Sequence, residues 1–114
     1  FIFVDDLANA CLFVLREYDG DAPINISGSW DISIRQAAET VKDVVGYGGS
    51  LRFNPGKPDG MPVKVLDTSA LRAMGWSQAT DFRAAAAATY AWFLQSIGRT
   101  DVADTAVSGQ LRTY

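Results

Sequence analysis

The sequence predicts an α/β fold, because short apolar runs of strand length alternate with longer segments whose apolar residues recur at helical spacing. Turns rich in glycine and proline separate the two kinds of segment. A chain of 114 residues is expected to form one domain or less. The expected order is strand, helix, strand, helix, strand, loop, helix and helix, with too few strands to close a sheet.

The first half of the chain starts with a predicted strand that leads into an amphipathic helix over residues 6–18, capped by Asp5 or Asp6. Cys11 lies among leucines of that helix and is predicted to be a buried structural thiol. The short strands are expected at residues 1–4, 24–27, 51–53 and 63–66.

Capping signals mark the other helices, which brings the expected number to four or five. Ser33 is followed three residues later by Gln36, which matches a capping box and predicts a helix that Gly46 ends. A short helix through Met74 and a longer one over residues 82–97 follow. Their caps are Asp67, Thr68 or Ser69 for the short helix and Asp81 for the long one, with Gly75 and Gly98 as stops.

Composition excludes several classes of function. A net charge of −3 argues against a general binding face for nucleic acid or an anionic membrane. No apolar run approaches the ~18 residues of a membrane span. The absence of histidine excludes any histidine-based triad or metal site within these residues. The chain begins without Met or a signal peptide and has a single cysteine, so we expect a cytoplasmic protein whose chain starts upstream.

A charged loop is the strongest candidate for a binding site. Between two apolar segments, residues 57–64 read KPDGMPVK and hold two cations and one carboxylate in a stiff turn. Lys57 and Lys64 could meet phosphates, and Asp59 could accept hydrogen bonds from sugar hydroxyls. A solvated surface loop is the alternative.

Four segments of the chain carry a resemblance to a known family. They are FIFVDDLA at residues 1–8, INI at 24–26 with IR at 34–35, KPDGMPVK with LD at 66–67, and LRAMGW at 71–76 with TYAWF at 89–93. Together they resemble the C-terminal part of the GDP-L-fucose synthases, of the extended short-chain dehydrogenase/reductase (SDR) superfamily. The resemblance implies the C-terminal portion of a Rossmann-type α/β enzyme whose N-terminal dinucleotide-binding part is absent.

That family epimerises and reduces GDP-4-keto-6-deoxy-mannose to GDP-L-fucose with NADPH. The resemblance therefore implies that residues 1–98 bind the nucleotide sugar and that 99–114 are a loosely attached tail. It implies that Asp59 contacts the nucleotide and that Lys64 neutralises the diphosphate, with Lys57 as a further candidate for that role. It also implies a homodimer when the enzyme is intact.

Two features of the sequence indicate that this part cannot catalyse alone. No glycine-rich dinucleotide turn follows a predicted strand, so NADP is expected to bind the missing N-terminal part. None of Tyr18, Tyr47 and Tyr90 has a lysine four residues later, so the family's catalytic Tyr-x-x-x-Lys pair is absent. In the charged loop, Met61 and Val63 replace the family's threonine and arginine.

Two alternatives stay open at the level of sequence. The first is another nucleotide-sugar enzyme of the same superfamily, such as a UDP-sugar epimerase or a GDP-mannose dehydratase, because several of the matching segments are generic. The second is a truncated or stand-alone domain without catalytic function.

Overall fold

The computed structural model describes residues 1–58, 60–61 and 63–98, which group into two compact units. The first unit is Phe1–Asp31 with Arg52–Thr80, and the second is Ile32–Leu51 with the chain from Asp81 onward. The described residues form four helices: α1 (Val4–Glu17), α2 (Ile34–Val44), α3 (Ser69–Ala73) and α4 (Phe82–Ser96). Helices α1 and α3 belong to the first unit, and α2 and α4 belong to the second. The predicted tail, residues 99–114, lies outside the described residues.

The prediction of short strands is wrong for the described residues, none of which is in a strand. Residue Val4 begins α1 and does not end a strand. A strand needs a second strand to pair its backbone groups. Neither 24–27 nor 63–66 makes a backbone–backbone hydrogen bond with another described segment. The segments hold together in part through side chains, since the Asn25 amide donates to the Asp67 carbonyl at 3.1 Å.

Helix α1 begins two residues earlier than predicted, with Phe3 at its N-cap and no side-chain cap. Asp5 and Asp6 were expected to cap it, but they lie in its first turn, where negative charge also favours the helix dipole. Cys11 is exposed, so its prediction as a buried thiol is wrong. The helix packs on the core through Ala10, Phe13 and Val14, and Cys11 lies outside that face.

The core of the first unit is built around Leu71, which is 0% exposed. Ala10 of α1 and Trp76 pack with it in one apolar cluster. Partly buried side chains complete this cluster: Ile2, Phe13, Val14, Ile24 and Ile26. Through this cluster α3 packs against α1, although the two helices lie about sixty residues apart in the sequence.

The second unit is a pair of packed helices with the predicted capping groups. The Ser33 hydroxyl accepts from the Gln36 amide at 3.1 Å, and the Gln36 side chain accepts from the Ser33 amide at 2.7 Å, which confirms the capping box. Asp81 accepts from the Ala84 amide at 2.8 Å and caps α4 as predicted. The buried side chains are small or aliphatic: Ala37, Ala85 and Leu94.

Glycines follow three of the helices with positive φ, as predicted for helix stops. The φ angles are 68° at Gly46, 100° at Gly75 and 71° at Gly98. Side chains with a Cβ rarely adopt this region, so glycine ends each helix at little cost. The turn at Gly75 allows the next residue, Trp76, to lie in the core of the first unit.

Candidate functional site: a cation-lined cavity in the first unit

The first unit contains a cavity of about 320 Å³. Its lining comes from Phe1, residues 27–31, residues 64–66, Thr68, α3 and residues 76–78. These segments are distant in sequence, and the apolar cluster of the first unit brings them together. A cavity of this size lies at the lower end of the range of small-molecule sites.

The floor of the cavity is apolar and firmly held. Leu71 and Trp76 both line it while belonging to the buried cluster. The Trp76 indole Nε1 donates to Asn9 Oδ1 at 2.9 Å, which ties the floor to α1. A buried indole that keeps its hydrogen bond has a defined position. The floor is therefore a rigid platform for groups on α3.

One wall of the cavity is a hydrogen-bond network around Gln78. The Gln78 Oε1 accepts from the Ser29 amide at 2.8 Å, and its Nε2 donates to the Thr80 carbonyl at 2.9 Å. The same carbonyl accepts from Trp30 Nε1 at 3.1 Å. The Thr80 amide donates to the carboxylate of Asp6, which is 8% exposed, at 3.3 Å. This network joins the 27–31 segment to the segment after α3.

The charged groups of the lining are predominantly cationic. Lys64 and Arg72 both line the cavity, and Asp31 is the one carboxylate among its described lining residues. Among the described residues, neither cation has a carboxylate oxygen within ion-pair distance of 4.0 Å. Serine and threonine hydroxyls add neutral hydrogen-bonding groups: Ser27, Ser29, Thr68 and Ser77. The arrangement suits an anion that also carries hydroxyl or carbonyl groups.

Asp67 stands beside the cavity and organises the start of α3. Its carboxylate accepts from the Ser69 amide at 2.9 Å. Hydrogen bonds from the Ser69 amide and then the Ser69 hydroxyl, together with the charge of Arg72, lower the pKa of Asp67 from its ordinary 3.8. A carboxylate with a depressed pKa stabilises the fold above its unfolded pKa, and that stabilisation is lost as pH falls through the folded value. Because Asp67 is fully exposed, this contribution is small.

Comparison with known proteins identifies relatives for most of the chain. It is 42% identical over 97 residues to GDP-L-fucose synthase 1 of Arabidopsis thaliana, covering 85% of this chain and 30% of that protein. It is 37% identical over 108 residues to the GDP-L-fucose synthase of Escherichia coli K12, covering 87% and 34%. This chain matches the C-terminal part of the GDP-L-fucose synthases. The resemblance read from the four sequence segments is thereby confirmed.

The similarity to GDP-L-fucose synthases is accompanied by a more distant one. A dTDP-4-dehydro-6-deoxy-D-allose reductase of Streptomyces bikiniensis is 32% identical over 94 residues, or 82% of this chain. No family model matches the chain, and no solved structure matches it. The chain spans about a third or less of the length of the GDP-L-fucose synthases it matches, and corresponds to their C-terminal part.

Of the three residues predicted to bind the ligand, one lines the cavity, one does not, and one lies outside the described residues. Lys64 lines the cavity, whereas Lys57 is exposed and is not among the lining residues. Asp59 lies outside the described residues. Arg72 was not predicted as a site residue, because a single arginine in a five-residue helix carries no sequence signal. Only the packing of Leu71 and Trp76 shows that α3 turns Arg72 toward the same cavity as Lys64.

The described residues do not fit a dinucleotide cofactor. A phosphate-binding turn needs glycines that open directly into a helix N-terminus. The glycines at 46, 48 and 49 follow α2, and the next helix begins only at Ser69. Within the described part of the chain, no set of three or more acidic, cysteine or histidine side chains is grouped to hold a metal ion. There too, no helix is long and apolar enough to cross a bilayer.

Proposed function

We propose that this chain is the nucleotide-sugar-binding portion of an NADPH-dependent GDP-L-fucose synthase, an epimerase and reductase of the extended SDR superfamily. The observation that carries the proposal is that Lys64, from the loop that resembles the family, lines the cavity of the first unit. Similarity to GDP-L-fucose synthases over 85% of the chain supports the same assignment. Catalysis then requires the remainder of the family's polypeptide.

In this proposal the cavity holds the diphosphate end of GDP-4-keto-6-deoxy-mannose. The Lys64 ammonium lies against the phosphates as a compact point charge. The hydroxyls of the lining donate to phosphate or sugar oxygens. Asp59, and Lys57 as a further cation, would reach the ligand from the 57–64 loop. Binding energy from the nucleotide then orients the sugar for chemistry elsewhere in the enzyme.

NADPH, when bound, would supply the hydride of the reduction, and in this proposal it binds the part of the family's chain that lies outside these residues. No described group of this chain takes part in that step. The single-domain interpretation of residues 1–98, the homodimer and the cytoplasmic location stay predictions.

Replacing Lys64 by alanine tests the proposal. Isothermal titration of the chain with GDP should show binding by the wild type and an affinity about tenfold to a hundredfold lower for Lys64→Ala, the cost of one charge-assisted contact. Lys42→Ala is the matched control, because Lys42 lies on α2 in the second unit. It should bind GDP like the wild type.

The contradicting results are equally specific. No binding of GDP by the folded wild-type chain would contradict the proposed function. Equal loss of affinity in Lys64→Ala and Lys42→Ala would show a diffuse effect of charge instead of a contact in the cavity. Urea unfolding of each variant establishes that the change in affinity is not a change in folding.

The relationship to the allose reductase supports a second candidate, a portion of an enzyme acting on another nucleotide sugar. The two candidates differ in the base that they bind. Titration with GDP, UDP and dTDP under one set of conditions separates them. Tighter binding of GDP supports the GDP-L-fucose assignment, and tighter binding of dTDP or UDP supports the alternative.

A further inference from the structure

We propose that Arg72 is a second phosphate-binding residue, which acts with Lys64 on the diphosphate of the ligand. The inference rests on the proposed function and names a residue that the family resemblance did not supply. It follows from where α3 lies in the first unit and from the groups that surround Arg72.

The two cations reach one cavity from different parts of the chain. Lys64 lies in the segment before α3, and Arg72 lies in the last turn of α3. Both line the cavity of about 320 Å³. A diphosphate carries its charge on two phosphoryl groups, so two cations from separate segments can each serve one group. Asp31 is the one opposing carboxylate among the described lining residues.

The guanidinium of Arg72 is available for a ligand. It is exposed, and among the described residues it has no ion pair within 4.0 Å and no hydrogen bond to a protein group. Asp67 interacts with it electrostatically, but the Asp67 carboxylate already accepts from the Ser69 amide at 2.9 Å. A planar guanidinium with free donors binds phosphate oxygens bidentately, which a lysine ammonium cannot do.

The backbone that carries Arg72 is held in place. Its neighbour Leu71 is 0% exposed and lies at the centre of the apolar cluster. Trp76 packs in the same cluster and is tied by its hydrogen bond to Asn9. An arginine on a fixed backbone loses less freedom when it binds than one on a loose loop. The burial of Leu71 therefore fixes the backbone from which the charged side chain of Arg72 extends.

Titration of the whole chain with GDP and with guanosine tests the role of Arg72. Arg72→Ala should weaken GDP binding about tenfold or more and leave guanosine binding unchanged, because guanosine carries no phosphate. Arg72→Lys should recover part of the loss, since it restores the charge without the fork. Arg52→Ala is the matched control, because Arg52 is exposed in the same unit and does not line the cavity.

The outcomes separate this inference from the proposed function. GDP binding by the wild type that Arg72→Ala leaves intact overturns the role of Arg72, while the proposed function stands. Equal losses in Arg72→Ala and Arg52→Ala, or an equal loss for guanosine, overturn it as well. Absence of GDP binding by the folded wild type overturns both. A loss confined to Arg72→Ala and to GDP supports both.

Discussion

Leu71→Ala is expected to lower the free energy of unfolding by about 2–5 kcal/mol, the usual range for a leucine truncated in a packed core. Leu71 is 0% exposed and joins α3 to α1 through Ala10 and Trp76. The substitution removes apolar contact area and leaves a cavity that backbone held on several sides cannot fully close. Because Leu71 also lines the cavity, the loss should reach the proposed binding site.

Urea unfolding followed by circular dichroism measures this effect. Leu15→Ala is the control, because Leu15 is on α1 of the same unit and is 82% exposed. Its unfolding free energy should change by no more than about 0.5 kcal/mol. Similar midpoints for the two variants would contradict the assignment of Leu71 to the core.

Trp76→Ala is expected to cost about 3–5 kcal/mol, as large aromatic truncations in cores do. Trp76 is 8% exposed, packs against Leu71 and donates its indole N–H to Asn9. Trp92 is 67% exposed, so Trp92→Ala is the matched control and should change stability little.

Trp76→Phe separates packing from hydrogen bonding at this position. It keeps most of the aromatic area and removes the donor to Asn9, which should cost about 1 kcal/mol from the lost bond together with a smaller packing loss. Equilibrium unfolding of the two Trp76 variants and the Trp92 control gives both contributions. A Trp76→Ala variant as stable as Trp92→Ala would show that the indole does not hold the floor of the cavity.

The helices were largely predictable from the sequence because their ends are encoded locally. Ser33 with Gln36, and Asp81, have side chains that satisfy amide groups within a few residues of themselves. Helix periodicity likewise depends on neighbours three and four residues away. These signals need no knowledge of the rest of the fold, which explains why α2 and α4 match the prediction closely.

The strands and the burial of Cys11 were not predictable in the same way. Whether residues 24–27 pair as a strand depends on a partner distant in sequence, and no described segment supplies one. The apolar residues of α1 occupy more of its circumference than one packed face can cover. In the structure Ala10 is buried, whereas Cys11 and Leu15 are exposed. The side of α1 that is buried is the one that packs against Leu71.

The residues of the candidate site also differ in whether the sequence could predict them. Lys64 was predictable because it closes a recognisable charged loop. Arg72 was not, because its approach to the cavity depends on the buried Leu71 and on the turn at Gly75. Sequence motifs indicate residues that act within one segment, whereas a cavity assembled from several segments requires the tertiary packing.

The claim that this chain supplies the nucleotide-sugar site of a GDP-L-fucose synthase can be tested in a whole enzyme. The most direct test is a chimera in which this chain replaces the matching segment of a characterised family member, assayed for NADPH oxidation with GDP-4-keto-6-deoxy-mannose. We expect formation of GDP-L-fucose, with a KM for the nucleotide sugar that Lys64→Ala raises more than it lowers kcat. A folded chimera that binds NADPH but has no affinity for GDP would contradict the claim.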